Sequence, residues 1–427
     1  MKKIFCSVTD GLLQKAIEFL SIPILVIRYK LNYKLQIKFF NLISFSMPRQ
    51  PIALKKAKLA FEKDVDRGYR NIFVNISYLA FKNENSGIPR VAKEIIKHAT
   101  FFKGCKIRPF YFHPINGEMR VFEEGRSQGI CKVHRHDVVL NPIPNVRELQ
   151  FNAKTIELLQ NEGVLIGYIL HDIIAITNPE YFKKRDAVDF SRWLQKISYY
   201  DFILAVSKTT LKAYEDWATR NQISMPKYRD YFWLGSDFTS ASIGENLEII
   251  DGNFALMVGT IEPRKGHAAI LRAFEKLWLS GSSLKLVIVG RKGWKMDEFI
   301  NKLRNHQLLG QKLFWFDNAD DEVLVSLYRK SLFCISASYA EGFGLPLVEA
   351  NYFGKWVLCR DIPIFREIGR NRVLFFDDDA PGSISCKIRE IMKMIANDEQ
   401  SECQIFCQTW DDSVKQICDA MSRMLRK

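Results

Sequence analysis

Two adjacent cations, Arg264 and Lys265, sit in the stretch Gly259-Thr260-Ile261-Glu262-Pro263-Arg264-Lys265-Gly266-His267. Paired cations on a glycine-flanked loop can hold a diphosphate and neutralise the charge that builds on it as a leaving group. The stretch is no Walker A loop, because no Gly precedes Lys265 and no Ser or Thr follows it. A solvated basic turn is the plainer alternative. Two acids, Glu341 and Glu349, bracket a second stretch, Glu341-Gly342-Phe343-Gly344-Leu345-Pro346-Leu347-Val348-Glu349. With Pro346 in a first helical turn, Glu349 falls about one turn further in, and both carboxylates can face one cleft and accept hydrogen bonds from ligand hydroxyls. Gly342 and Gly344 would let backbone approach that ligand closely. His171, followed by Asp172, can hydrogen-bond a substrate hydroxyl, while a structurally satisfied histidine is the alternative. Gly87, in Gly87-Ile88-Pro89-Arg90-Val91, can bring helix-start N–H groups near a phosphate, although a lone glycine is most often a turn.

Each stretch follows a run that reads as a strand, and open parallel sheets bind ligands beyond the carboxyl ends of their strands. In the first half, residues 71–76, 138–140, 164–170 and 202–206 read as strands, with helices at 89–98 and 209–217 and Ser207 as an N-cap. Alternating strands and helices imply a parallel sheet. The polar stretch 236–252 reads as a linker. Beyond it, strands at 254–258, 284–289, 312–316, 332–336 and 356–359 alternate with helices at 268–279, 296–305, 322–331 and 345–353, which is a Rossmann-like series. Residues 410–425 read as an amphipathic helix. The acidic run Asp377-Asp378-Asp379 reads as a solvated turn rather than a metal site, and Trp294, Trp315 and Trp410 as packing.

A chain of 427 residues, 47% hydrophobic and 26% charged, is neither disordered nor membrane-spanning in composition and suits two domains. The expected units are residues 71–247, joined by the helix 410–427, and residues 248–402. The net charge is +14, and residues 1–70 carry 14 Lys and Arg against 5 Asp and Glu, or 14 − 5 = +9. Their interleaved apolar and basic residues read as a surface-seeking amphipathic extension that could meet an anionic membrane, a solvated face being the alternative. Glu18 and Pro23 break its apolar stretch, so neither a signal peptide nor a spanning helix is expected. Nine scattered cysteines without a C-x-x-C point to reduced thiols and a cytoplasmic setting.

The stretches GTIEPRKGH, VGRKGW, DDEVLVSLYRKSLFCISASYAEGFGLPLVEA and DIPIFREIG, with SGIPRV, LHDIIAITNPEYF and AVSKTTLKAY upstream, together resemble the retaining GT-B glycosyltransferases of family 4, the group 1 glycosyltransferases. Among these they are similar to bacterial mannosyltransferase-like members that build surface polysaccharides such as O-antigen. The resemblance covers about residues 72–425 and implies two Rossmann-like α/β domains facing a cleft. It implies a nucleotide-sugar donor, GDP-mannose first, a saccharide or lipid-linked glycan acceptor, no cofactor, no metal and no nucleic-acid partner. By it, Arg264 and Lys265 hold the donor diphosphate beside Gly259, and Glu349 holds the ribose. Glu341 contacts the transferred sugar, and the helix start around Gly342, Phe343, Gly344 and Leu345 faces the phosphates. Gly87 and His171 close from the other domain, while Gly290 and Arg291 border the base. Ala175 stands where the family often has Pro. Location on the inner face of the cytoplasmic membrane is expected of the extension. The rivals are a phosphorylase or synthase on the same scaffold, and a non-enzymatic membrane-binding protein with a degenerate second domain.

Overall fold

The computed structural model describes residues 60–61, 69–81, 87–113, 117–123, 126–145, 152–238, 250–369, 372–397 and 408–425. Nearly all of the basic extension and most of the proposed linker lie outside the described residues. Among the described residues no helix is long and apolar enough to cross a membrane.

The first domain is built on strands β1 (Arg70–Asn75), β2 (Cys105–Phe112), β3 (Met119–Glu123), β4 (Arg126–Ile130), β5 (Val138–Asn141), β6 (Leu165–Leu170), β7 (Phe202–Ala205) and β8 (Tyr228–Tyr231). They form one eight-stranded sheet in the order β8-β7-β6-β5-β1-β2-β3-β4. The central strands are parallel, and Val138–Asn141 and Phe202–Ala205 are buried at every position because helices cover both faces. The sheet is nevertheless mixed, which corrects the expectation of a purely parallel one. β3 pairs antiparallel with β2, and β4 antiparallel with β3. Both strands are short and neither carries a continuous apolar run: β3 is partly buried between β2 and β4, and β4 is the exposed edge.

The second domain has β9 (Phe254–Val258), β10 (Lys285–Val289), β11 (Leu313–Phe316), β12 (Phe333–Ser336), β13 (Val357–Arg360) and β14 (Val373–Phe376). All are parallel, in the order β11-β10-β9-β12-β13-β14. Chain direction reverses its lateral progress between β9 and β12, the place where such sheets open a ligand crevice.

Four helices matter for the site: α1 (Ile88–Lys97) and α3 (Lys208–Arg220) in the first domain, α4 (His267–Leu279) and α6 (Leu345–Tyr352) in the second. Helix α2 (Lys184–Ile197) flanks the first sheet, while α5 (Asp321–Lys330) and α7 (Pro363–Ile368) belong to the second domain, as does α8 (Pro381–Asn397). Ser207 caps α3 by accepting from Thr210 N at 3.0 Å. The last helix, α9 (Trp410–Leu425), crosses back to the first domain and packs on β8 and α1. Trp410 is 1% exposed, and a Cβ on Gly235 would lie 2.4 Å from its backbone nitrogen, so only glycine allows the chain to pass there. One apolar cluster runs through Val74, Leu204, Leu256, Leu347 and Trp410, and so joins both domains.

Trp410→Ala should therefore cost about 3–5 kcal/mol of folding stability, the usual range for a buried aromatic truncated to Ala. Denaturant unfolding checks the loss, and limited proteolysis should show α9 released before either sheet.

Candidate active site

The loops after β9 and β12 are brought together by the sheet order and tied by charge. Glu341 lies under both cations. Its Oε2 accepts from Arg264 Nη1 at 2.7 Å, and its Oε1 accepts from Ser338 Oγ at 2.7 Å and from Lys265 Nζ. Arg264 also donates to the Ala340 carbonyl at 2.8 Å and pairs with Glu262 at 2.6 Å. Burial by itself would raise the Glu341 carboxyl, but Arg264 and Lys265 outweigh it and bring it down to about 2. Glu262 behaves oppositely: burial lifts it above the ordinary range against the pull of Arg264 and Lys265, with Glu341 pushing the same way as burial. Lys265 spends one ammonium proton on Glu341 and has others to give, whereas Arg264 is committed to three protein oxygens.

Two helices of the second domain start at left-handed glycines with no side-chain cap, α4 at Gly266 (φ 75) and α6 at Gly344 (φ 101), and α1 of the first domain starts at Gly87, also at positive φ (65) and without a side-chain cap. Uncapped helix starts present free N–H groups and partial positive charge to an anion. Gly266 is forced, since a Cβ there would meet the Ala337 carbonyl at 2.4 Å. Gly290 is forced likewise, its Cβ position lying 1.9 Å from the carbonyl of Gly259, and Arg291 beyond it is exposed. Phe343 is buried in the shared core, and Leu345 packs against it.

His171, at the end of β6, is 7% exposed and its Nε2 lies 2.7 Å from the Pro142 carbonyl. A carbonyl only accepts, so Nε2 carries the hydrogen and Nδ1 the lone pair. Burial holds the ring below its ordinary pKa, against the Pro142 bond and Asp172, so it is neutral. Asp172 accepts from Ile174 N at 3.0 Å and so shapes the loop. The domains touch at this point: a Cβ on Gly342 would fall 1.8 Å from the His171 carbonyl. The Gly342 carbonyl accepts from Ser207 Oγ at 2.8 Å and Thr210 Oγ1 at 3.0 Å. Glu367 of α7 adds a clasp, accepting from the Lys208 and Thr209 backbone nitrogens at 2.8 and 2.7 Å and from Trp233 Nε1 at 2.7 Å.

Arg264, Lys265 and Glu341 thus meet, with His171 across the boundary. Glu349 lies deeper. Its partners are the Tyr328 hydroxyl at 2.8 Å and Arg90 of the first domain at 3.4 Å. Sequence reasoning singled out none of Arg90, Glu262 and Tyr328, although all three stand inside the quoted stretches. Nor is the acidic run a solvated turn throughout: Asp379 binds Arg360 at 2.5 Å and the Tyr339 hydroxyl at 2.7 Å. Tyr339 in turn stacks on Tyr181 of the first domain at 6.1 Å between centroids. An isolated sequence triplet gives no hint of an arginine delivered by a neighbouring strand.

Glu341 has a folded pKa of about 2, depressed from 4.5, so its stabilising contribution is full above about pH 4.5 and is lost as pH falls towards about 2. Acid unfolding of the wild type should steepen in that window, and Glu341→Gln should flatten it; identical slopes would show that the cluster contributes no linkage.

Residues 241–403 match the family model for glycosyl transferases group 1. The chain is 31% identical over 351 residues to the serotype-specific mannosyltransferase WbdA of Escherichia coli, a match covering 76% of this chain and 43% of WbdA. It therefore spans less than half the length of that relative. It is also 26% identical over 233 residues to O-antigen chain mannosyltransferase B of Escherichia coli, covering 52% of this chain and 60% of the relative. In fold it resembles a sucrose-phosphate synthase from Thermosynechococcus elongatus, with TM-score 0.56 and 13% identity over 83% of this chain and 95% of that one. It likewise resembles Anabaena HepE solved with UDP and glucose, with TM-score 0.53 and 13% identity over 84% and 98% of the two chains. Two facing α/β domains, with the matched segment forming the second, make this chain a group 1 glycosyltransferase of GT-B architecture.

Proposed function

We propose that the protein is a retaining hexosyltransferase that moves mannose from a nucleotide-sugar, GDP-mannose first, onto a carbohydrate or lipid-linked glycan during synthesis of a surface polysaccharide. The observation that carries this reading is the Lys265–Glu341 contact at the strand-order reversal, set beside the uncapped start of α6 and facing His171 across the domain boundary. The choice of mannose rests on the relatives WbdA and O-antigen chain mannosyltransferase B, which bear that activity in their names.

In this reading the donor diphosphate takes the remaining ammonium protons of Lys265 and the N–H groups at Gly344 and Leu345. Arg264 holds Glu341 ionised, and Glu341 accepts a hydrogen bond from a hydroxyl of the sugar. The bond from the anomeric carbon to the phosphate oxygen breaks, and its electron pair leaves with the diphosphate. Because Lys265 and the helix start oppose that developing charge in a site shielded from water, the departure is the step they accelerate. The acceptor oxygen bonds to the anomeric carbon on the face that the diphosphate leaves, and its proton passes to a diphosphate oxygen, so configuration is retained. His171 Nδ1 accepts from a sugar hydroxyl, held in place by its Pro142 bond. Glu349 accepts from the ribose.

Residues 1–70, with their +9 excess, are assigned to peripheral attachment at the anionic inner face of the cytoplasmic membrane, where a lipid-linked acceptor would be presented.

Lys265→Ala and Glu341→Ala should each abolish measurable transfer, at least about a hundredfold loss, with circular dichroism unchanged. A donor screen reading released nucleoside diphosphate checks this, and near-normal turnover by either variant would contradict the assignment. Added phosphate with an oligosaccharide in place of a donor separates the phosphorylase alternative. Flotation with anionic liposomes should carry the full chain and lose it when residues 1–59 are deleted; equal flotation removes the membrane role.

A further inference from the structure

Arg90 belongs to the first domain, yet one end of its guanidinium reaches Glu349 of the second. It stands in the first turn of α1, immediately after the Gly87 turn. Its Nη2 donates to the Asp237 carbonyl at 2.6 Å, and its guanidinium lies over the rings of Phe238, at 5.0 Å, and Trp410, at 5.3 Å. Asp237 is itself fixed, its carboxylate accepting from Trp410 N at 2.6 Å. These contacts hold Arg90 without any help from Glu349. What reaches Glu349 is the remaining end, Nη1, at 3.4 Å from Oε1. The other carboxylate oxygen, Oε2, accepts from Tyr328 at 2.8 Å. Oε1 thus has one long contact and spare lone pairs, enough to accept a ligand hydroxyl while Arg90 stays in place.

We infer that Arg90 is a positioning residue for donor recognition: docking of the acceptor-side domain supplies the counter-charge that orients Glu349, so the ribose of a nucleoside diphosphate is held at full strength only when the domains are together. The inference rests on the reading of Glu349 as the ribose acceptor. Its consequence is reciprocal. If closure strengthens nucleotide binding, nucleotide binding favours closure by the same factor, and the charge carried by Arg90 is what connects the two.

A packing role and a charge role differ in their pH dependence. The ionisable groups facing Glu349 are Arg90 from α1, Tyr328 and Asp321 from α5, and Cys334 from β12. Burial raises the Glu349 carboxyl above its ordinary value, Arg90 and the Tyr328 bond pull it down, and Asp321 pushes it up. Without the charge of Arg90, burial and Asp321 meet only Tyr328, and protonation spreads to higher pH. A protonated Glu349 is a poorer acceptor for ribose hydroxyls, so the defect should deepen as pH falls and recover as it rises.

The test is calorimetric titration of the full chain with GDP and with UDP, comparing wild type, Arg90→Gln and Arg90→Lys. Arg90→Gln keeps a donor for the Asp237 carbonyl and much of the packing but removes the charge. It should weaken binding of the preferred nucleotide about tenfold or more near pH 6, the scale of one charge-assisted hydrogen bond, with less loss near pH 8.5. Arg90→Lys, which restores the charge, should remove most of the pH dependence. Binding by Arg90→Gln within about twofold of wild type at both pH values, or a loss equal at both, overturns the role. If the wild type itself binds neither nucleotide, the functional reading falls, and this inference falls with it.

Discussion

A carboxylate taken out of water must find positive charge, and Glu341 meets that requirement in a way that organises the second domain. An unpaired buried acid costs several kcal/mol, so the loop carrying Glu341 has to lie against the loop carrying Arg264 and Lys265. The two loops are 76 residues apart in sequence, and only the sheet order, with β9 beside β12, makes them neighbours. The electrostatic requirement and the topology thus select the same place. The partly satisfied charge left there, on Lys265 and at the start of α6, is available to an anionic ligand because the carboxylate does not consume all of it.

The second constraint is steric and acts through backbone. Gly342 meets His171, Gly266 meets Ala337, and Gly290 meets Gly259 at distances no Cβ could share. The last two let the loops of one domain close on each other, while the first lets one domain close on the other. Gly342 is also hydrogen-bonded through its carbonyl to Ser207 and Thr210. The residue next to Glu341 is therefore a contact point between the two domains.

Much of this was legible in the sequence. The alternation of β-branched runs with helical periodicity gave the second domain from β9 to β13, but not β14 or the helices α7 and α8, and the helix from Trp410 to Leu425 was readable because Val414, Ile417 and Met421 share one face and are all buried. Ser207 announced its cap by type and position. What the sequence hid were partnerships between distant elements. Nothing local to Asp379 reveals Arg360, and nothing local to Glu349 reveals Arg90, because each pair is made by tertiary folding rather than by spacing. The edge strand β4 escaped for a different reason: a strand bordered by solvent needs no apolar alternation, so its pattern is indistinguishable from a loop.

The same limit explains how two adjacent cations came to be read as one device. By type Arg264 and Lys265 are interchangeable holders of phosphate, but the guanidinium is planar and directional and suits several fixed oxygens at once, whereas the ammonium is a point charge on a flexible stem. The structure uses each accordingly. Arg264 reaches Glu262, Glu341 and the Ala340 carbonyl, and joins two loops. Lys265 touches Glu341 alone among these and keeps its reach. Had the order been reversed, the rigid fork would face the ligand and the flexible stem would be asked to brace the loops. The division of labour follows from side-chain chemistry once the topology has placed the acids, and it makes Glu262, buried and raised in pKa, part of the support on which the reactive end of the site is mounted.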